Sequence, residues 1–136
     1  MATETELNNW ILNANHTIER YNSIISDCDK KISRLEKVYK ELTAIKESFR
    51  SNRKQTKAIF KEKGNWRGEK YTSYCSAGEI LDDSYEAYYT KLDAAHDAIN
   101  TEIAELKARK RELVPLVGGL LGDIARWRAT LENIGN

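Results

Sequence analysis

The chain is 136 residues long, with 40% hydrophobic and 32% charged residues and a formal net charge of +1 at pH 7. Its 22 Lys and Arg nearly balance its 21 Asp and Glu, which excludes a strong overall field for attracting DNA or anionic lipid. One Pro and seven Gly leave little material for turns, so the composition predicts a single domain of long uninterrupted elements.

The sequence contains no recognisable targeting segment. The first ten residues, MATETELNNW, lack the cationic start and apolar run of a secretory signal peptide. No stretch approaches the roughly 20 apolar residues that a membrane span needs. Cys28 and Cys75 show no paired spacing and are predicted to be free thiols. These features predict a cytoplasmic protein.

A heptad pattern predicts a first helix over about residues 4–63. From Leu7 onward the apolar residues alternate steps of four and three, the period that keeps one stripe of a helix against a neighbour. Thr3, with Glu6 three residues later, predicts the capped start of this helix. The stripe comprises Leu7, Ile11, Ala14, Ile18, Tyr21, Ile25, Cys28, Ile32, Leu35, Tyr39 and Leu42.

The pattern breaks at residues 64–68 and resumes in a second helix over about residues 69–113. Gly64 suits the left-handed residue after a helix end, so a short turn and an antiparallel return are expected. Pro115 and the adjacent pair Gly118 and Gly119 predict a kink or end near Val114. The fold class is therefore all-α: a coiled-coil-like antiparallel hairpin over residues 1–114, followed by a short kinked amphipathic helix in residues 115–136.

Charge supports the hairpin independently. Residues 30–63 contain twelve Lys or Arg and four Glu, whereas residues 79–105 contain eight acids and one base. A turn at residue 65 or 66 places position i opposite roughly 131 minus i, which brings the acidic stretch beside much of the basic one. By the same rule Leu120 and Ile124 lie near Trp10 and Leu7, and residues beyond about 128 have no partner in the first helix.

The apolar face is wider than two helices require, which predicts a partner chain that completes a bundle. The alternative, in which the C-terminal segment folds back over this face, leaves most of it uncovered because that segment is short. Tyr89 lies off the stripe and is a candidate for the interface, whereas Tyr85 and Tyr88 on the stripe are expected inside the hairpin. The predicted partner-binding residues are Trp10, Ile24, Val38, Ile45, Ile59, Tyr89 and Trp127.

The turn carries a Trp-Xaa-Gly motif, Trp66-Arg67-Gly68, between two long helices. Together with Tyr85, Tyr88 and Tyr89 in the second helix, it resembles the small Trp-Xaa-Gly (Esx-like) proteins of type VII secretion in Gram-positive bacteria, and most closely the YwqH-like group. The resemblance covers about residues 1–112, and Gly64, Trp66 and Gly68 form its turn motif. The structural alternative is a coiled-coil hairpin that has Trp and Gly in its turn by coincidence.

The resemblance implies an adaptor that binds the helical N-terminal domain of an LXG toxin, a second small hairpin protein, or both. The family's export motif, Tyr followed four residues later by an acid, is expected after the second helix. Here Tyr89 and Asp93 match it only within that helix. The resemblance therefore implies that a partner carries the export signal, with the chain cytoplasmic or co-exported.

Other functional classes have weaker support in the sequence. His16 and His96 lack metal-ligand spacing, and no nucleophile has a plausible base, so neither a cofactor, a metal nor an enzymatic activity is expected. The basic series that starts at Lys46 is interpreted as a face paired to acids on the second helix rather than a nucleic-acid site. The main alternative function is a self-associating coiled-coil scaffold, which leaves open a homodimer of the isolated chain.

Overall fold

The computed structural model describes residues 2–62 and 69–135, and the side chains of residues 2–58 and 75–135. It contains two long helices, α1 over Glu4–Glu62 and α2 over Glu69–Gly135, which pack against each other in antiparallel directions. No strand occurs in the part of the chain so described. The predicted all-α hairpin is confirmed, whereas the predicted turn at residues 64–68 lies outside the described residues.

The first helix begins at a capping threonine, as its sequence predicts. The hydroxyl of Thr3 accepts a hydrogen bond of 3.1 Å from the backbone N–H of Glu6. The backbone carbonyl of Thr3 accepts a hydrogen bond of 2.9 Å from the backbone N–H of Leu7. Glu4 and Glu6 add negative charge to the first turn, where the helix dipole favours it. Local chemistry therefore sets where α1 starts.

The second helix continues through Pro115 to Gly135, so it does not end near Val114, whereas the alternative expectation of a kink there stays a prediction. Pro115 lies on the exposed side of α2, so the carbonyl of Arg111 that loses its helical hydrogen bond can bind water. Beyond the proline, Val117 and Ile124 pack on α1. Packing on α1 thus holds the later turns in the same helix.

The residues group into two compact units. Unit 1 comprises Met1–Arg34 with Ile103–Asn136, and unit 2 comprises Leu35–Glu102. Unit 1 contains a core in which Ala14, Ile18 and Ile124 form one cluster, with Val117, Leu120 and Trp127 packed against it. Every buried apolar side chain among the described residues belongs to this unit: Leu7, Ala14, Ile18, Cys28, Ile32, Ile103 and Ile124.

Unit 2 has no buried side chain within residues 35–58 and 75–102. Its two helical segments meet through half-buried side chains, both aliphatic and polar or aromatic. The aliphatic ones are Leu35, Leu42, Leu92 and Ile99, and the others include Tyr39, Phe49, Arg53, Tyr85 and His96. Burial of apolar surface is the main source of stability in helical bundles. Over its described residues, unit 2 is therefore packed less completely than unit 1.

The contacts in both units lie at a later register than the rule of 131 minus i predicts. Trp10 lies against Trp127 in unit 1, and Lys46 against Asp93 in unit 2, so the paired residue numbers add up to 137 and 139. Side chains lean toward the N-terminus of their own helix. In an antiparallel pair those of α1 lean away from the turn and those of α2 toward it, so each α1 residue meets one farther along α2. The lean explains the direction of the correction.

The same correction applies to the C-terminal segment. Ile124 packs with Ala14 and Ile18 rather than near Leu7, and Leu120 packs against the same cluster. Residues just beyond 128, which the simple reflection left without a partner, lie opposite the first turns of α1. Leu131 is accordingly half-buried, whereas Ile134 is 45% exposed.

Candidate protein-binding surface

One side of unit 2 is lined by oppositely charged residues from the two helices, and we call it the ionic groove. Lys46 lies 2.5 Å from Asp93, and the Arg53 guanidinium donates to both carboxylate oxygens of Asp82 at 2.8 and 3.1 Å. Lys57 approaches Asp82 at 3.7 Å. The predicted pairing of the basic face of the first helix with acids of the second is observed at these residues.

These contacts shift the pKa values of the paired groups. The hydrogen bond from Arg53 lowers the pKa of the Asp82 carboxyl, and the hydrogen bond from Lys46 lowers that of Asp93. In the reverse direction, bonding to Asp82 raises the pKa of Arg53, and bonding to Asp93 raises that of Lys46. All four groups therefore stay charged at neutral pH, and the groove selects a register between the helices.

A histidine continues the polar side of the seam. The His96 ring stacks on Tyr39 with 3.9 Å between ring centres, and its Nε2 lies 2.9 Å from the hydroxyl of Thr43. That hydroxyl already donates its proton to the carbonyl of Tyr39 at 2.9 Å, so it can only accept from His96. The geometry assigns a proton to Nε2 and gives this imidazole a structural role.

A second groove of unit 2 surrounds a cavity whose lining residues are uncharged, and we call it the apolar groove. Phe49 of α1 packs edge-on to Tyr85 at 4.8 Å and stacks with Tyr88 at 5.5 Å. A cavity of about 160 Å³ opens there, lined by Phe49, Leu81, Ser84, Tyr85 and Tyr88. Leu81 is 40% exposed and Tyr88 is 60% exposed. The two grooves of one helix pair thus differ sharply in chemistry.

Two of the predicted partner-binding residues lie on the face of α1 that carries Phe49. Ile45 precedes Phe49 by one helical turn, and Val38 precedes Ile45 by two turns, so all three share a face. Ile45 is 51% exposed and Val38 is 43% exposed. Val38 and Ile45 are therefore exposed on the face of α1 that carries Phe49, but they do not line the cavity.

Tyr89 lies in the ionic groove instead. Its hydroxyl accepts a hydrogen bond of 2.5 Å from Arg50, and the ammonium of Lys46 lies 5.4 Å from its ring centre. Of the two consecutive tyrosines, Tyr88 is the one that remains open to a partner, opposite to the expectation that it would be inside the hairpin. The spacing could have indicated this, because Tyr89 follows Glu86 by three residues and precedes Asp93 by four, on the acidic face.

The remaining predicted residues are spread over other parts of the chain. In unit 1, Trp10 lies 5.7 Å from Trp127 between ring centres and is 42% exposed, and Ile24 is half-buried. The side chain of Ile59 and the turn residues Gly64, Trp66 and Gly68 lie outside the described residues. Sequence reasoning missed Leu81 and Tyr88, whose place at the rim depends on Phe49 from the other helix.

Within residues 2–58 and 75–135 no three His, Cys, Asp or Glu side chains gather in a way that could hold a metal ion. Cys28 and Cys75 are free thiols. Neither helix contains, in its described part, a window apolar enough to span a bilayer.

The fold and this surface define a class, an all-α helical hairpin whose exposed apolar side chains line one groove between its helices. The chain belongs to the YwqH-like family, whose sequence model matches residues 8–118. No curated protein and no solved structure matches the sequence.

Proposed function

We propose that this chain is a non-enzymatic adaptor of a type VII secretion system. In this proposal it binds the helical N-terminal targeting domain of an LXG toxin in the cytoplasm, together with a second small helical hairpin protein. The toxin or the second protein carries the export signal, and the chain stays with its cargo until secretion. Binding rather than catalysis is the activity of the molecule.

The observation that carries the proposal is the contrast between the two units. Unit 1 has a core that includes Leu7, Ile18 and Ile124, whereas unit 2 buries no side chain among its described residues. A helix pair whose described side chains are at most half-buried gains stability when further helices cover it, as in a bundle assembled from several chains. Membership of the YwqH-like family supports a secretion role for such an assembly.

The polar groups also favour an adaptor over an enzyme. His96 is engaged by Thr43 and Tyr39, and the carboxylates of Asp82 and Asp93 are engaged by cations of α1. Groups paired in this way hold helices in register and have no free partner for proton transfer.

Secretion of an LXG toxin in the source organism tests the proposal directly. A strain lacking this chain should accumulate the toxin in the cytoplasm, and expression of the chain in trans should restore secretion. Copurification of the chain with the toxin's N-terminal domain should occur at fixed stoichiometry. Normal toxin secretion in the deletion strain would refute the adaptor role.

The self-associating scaffold makes a different prediction. It requires the isolated chain to form a stable homo-oligomer that persists when the toxin domain is added in excess. Sedimentation of mixtures at several ratios separates the two functions, because an adaptor forms a mixed complex at the expense of any homodimer.

A further inference from the structure

The apolar groove of unit 2 lies between two helices and is lined mainly by aromatic and aliphatic side chains. We propose that one amphipathic α-helix of the toxin's targeting domain lies along it and inserts an aliphatic side chain between Phe49, Leu81 and Tyr88. This proposal rests on the proposed function and adds to it the surface and the partner chemistry.

Exposed apolar residues from both helices occur at this groove. Isolated exposed apolar residues are ordinary on protein surfaces, but a patch contributed by two elements marks an interface. Leu81 and Tyr88 of α2 line the cavity and are 40% and 60% exposed. On α1, Val38 and Ile45 share the face of Phe49 and are 43% and 51% exposed.

The shape of the groove calls for a helix that presents a projecting side chain. Between two antiparallel helices, a third helix packs its ridge into the groove, with anchors three, four and seven residues apart. The cavity of about 160 Å³ between the rings has the scale of a single aliphatic side chain. Because both flanking segments are helical, their backbone groups bond internally and offer no edge for an added strand.

Charge defines the chemistry of the occupant. None of the five residues lining the cavity is charged. The cations Lys46 and Arg53 lie in the ionic groove, where acids of α2 already neutralise them. An acidic peptide, a nucleic acid or an anionic lipid surface would gain no ion pair in the apolar groove. The occupant is therefore an uncharged helix face rich in Leu, Ile or Met.

A second copy of this chain fits the groove less well. In a two-fold pair centred on the groove, the same surface meets itself, so that one cavity faces another and Tyr88 faces its own equivalent. A concave site needs a projecting partner for close packing. A different helix, with its own spacing of aliphatic residues, satisfies that requirement.

Paired lysine substitutions test the docking surface. The probe is the purified helical N-terminal domain of an LXG toxin from the source organism, titrated by calorimetry against the full chain. Ile45→Lys and Tyr88→Lys should each raise Kd at least about tenfold, because a charge enters the interface. The matched controls Ala44→Lys and Thr90→Lys add the same charge at exposed positions one or two residues away, and should change Kd less than about twofold.

A crosslinking arm gives a readout that does not depend on the stability of the variants. A photoreactive phenylalanine at position 88 should capture the probe, whereas the same group at position 90 should not. Unchanged affinity in the groove variants, or crosslinking from position 90 alone, would overturn the docking surface while the adaptor role stands. Failure of the parent chain to bind the probe would overturn both. Groove variants that only dissolve a homodimer would assign the surface to a second copy and refute the helix of the toxin.

Discussion

Arg50 donates a hydrogen bond of 2.5 Å to the hydroxyl of Tyr89, and its guanidinium carbon lies 5.5 Å from the centre of the same ring. The next residue back, Tyr88, stacks on Phe49, which itself directly precedes Arg50. Consecutive residues of a helix point about 100° apart. The pair Arg50 and Tyr89 therefore lies in the ionic groove, and the pair Phe49 and Tyr88 lies in the apolar groove.

The bond between Arg50 and Tyr89 can be tested by Tyr89→Phe, which removes the acceptor and keeps the ring. Because the bond is exposed, the variant should lose less than about 1 kcal/mol of unfolding free energy. Its affinity for the toxin domain should match that of the parent chain, since Tyr89 faces the ionic groove. Urea denaturation and calorimetry measure the two quantities. A loss of affinity comparable to that of Tyr88→Lys would place the interface on the ionic side.

Acidification should weaken the ionic groove. The folded pKa values of Asp82 and Asp93 lie below the unfolded value of about 3.9, so their contribution to stability is fully present above that value. The contribution is lost as the pH falls through the folded pKa values. Asp82→Asn should therefore be less stable than the parent chain at pH 7, and the difference should narrow at an acidic pH below the unfolded value. An equal deficit at both pH values would contradict the assigned role of the ion pair.

The hairpin itself was predictable because heptad spacing is a local pattern, and because the basic and acidic residues each form one continuous stretch of the sequence. The four-three stripe requires a helix, and the opposed basic and acidic stretches require its return. The candidate surface was only partly predictable. Val38 and Ile45 were predicted to bind a partner and are exposed, but Tyr88 was assigned to the interior because it lies on the stripe of α2.

The error about Tyr88 has a physical source. A stripe position is buried only where the facing helix supplies enough apolar surface to cover it, and unit 2 supplies one phenylalanine to two tyrosines. The pairing of position i with 131 minus i also gave the wrong register, because side chains point toward the N-terminus of their own helix and this moves each contact along α2. The helix end allowed for at Pro115 was wrong for a similar reason, since the cost of one lost helical hydrogen bond was weighed without the packing of Val117 and Ile124 on α1.

The core of unit 1 should dominate stability. Ile124 is 4% exposed and Ile134 is 45% exposed, and both lie in α2, so the same substitution at each position makes a matched pair. Ile124→Ala should cost about 2 to 4 kcal/mol, whereas Ile134→Ala should cost less than about 1 kcal/mol. Urea denaturation followed by circular dichroism gives both values. Similar costs would mean that Ile134 is covered in solution.

The two thiols should report the same contrast between the units. Cys28 is 4% exposed within unit 1, whereas Cys75 of unit 2 is only half-buried. A water-soluble thiol reagent should therefore modify one cysteine per folded chain quickly and the second only as the chain opens. Cys75→Ser should leave only the slow reaction, and Cys28→Ser only the fast one. Equal rates for both variants in the native protein would rule out a packed core around Cys28.

The segment around Pro115 should be open to stabilisation. A β-carbon added at Gly119 meets no atom within 4 Å, and α2 runs through this position. Glycine in a helix interior costs about 0.5 to 1 kcal/mol relative to alanine, so Gly119→Ala should raise unfolding free energy by that amount. Pro115→Ala restores the hydrogen bond to the carbonyl of Arg111 and should gain up to about 3 kcal/mol.

The matched control for these variants is Gly135→Ala, at the last residue of α2. A β-carbon there also meets open space, but a helix end contributes little cooperative structure, so stability should change by no more than a few tenths of a kcal/mol. Thermal denaturation of the three variants ranks them directly. If Gly119→Ala destabilised the chain while Gly135→Ala did not, Gly119 would adopt a bent, non-helical backbone conformation in solution, and α2 would not be continuous there. A gain for both Pro115→Ala and Gly119→Ala would establish that packing on α1 holds the helix straight enough for alanine at both positions.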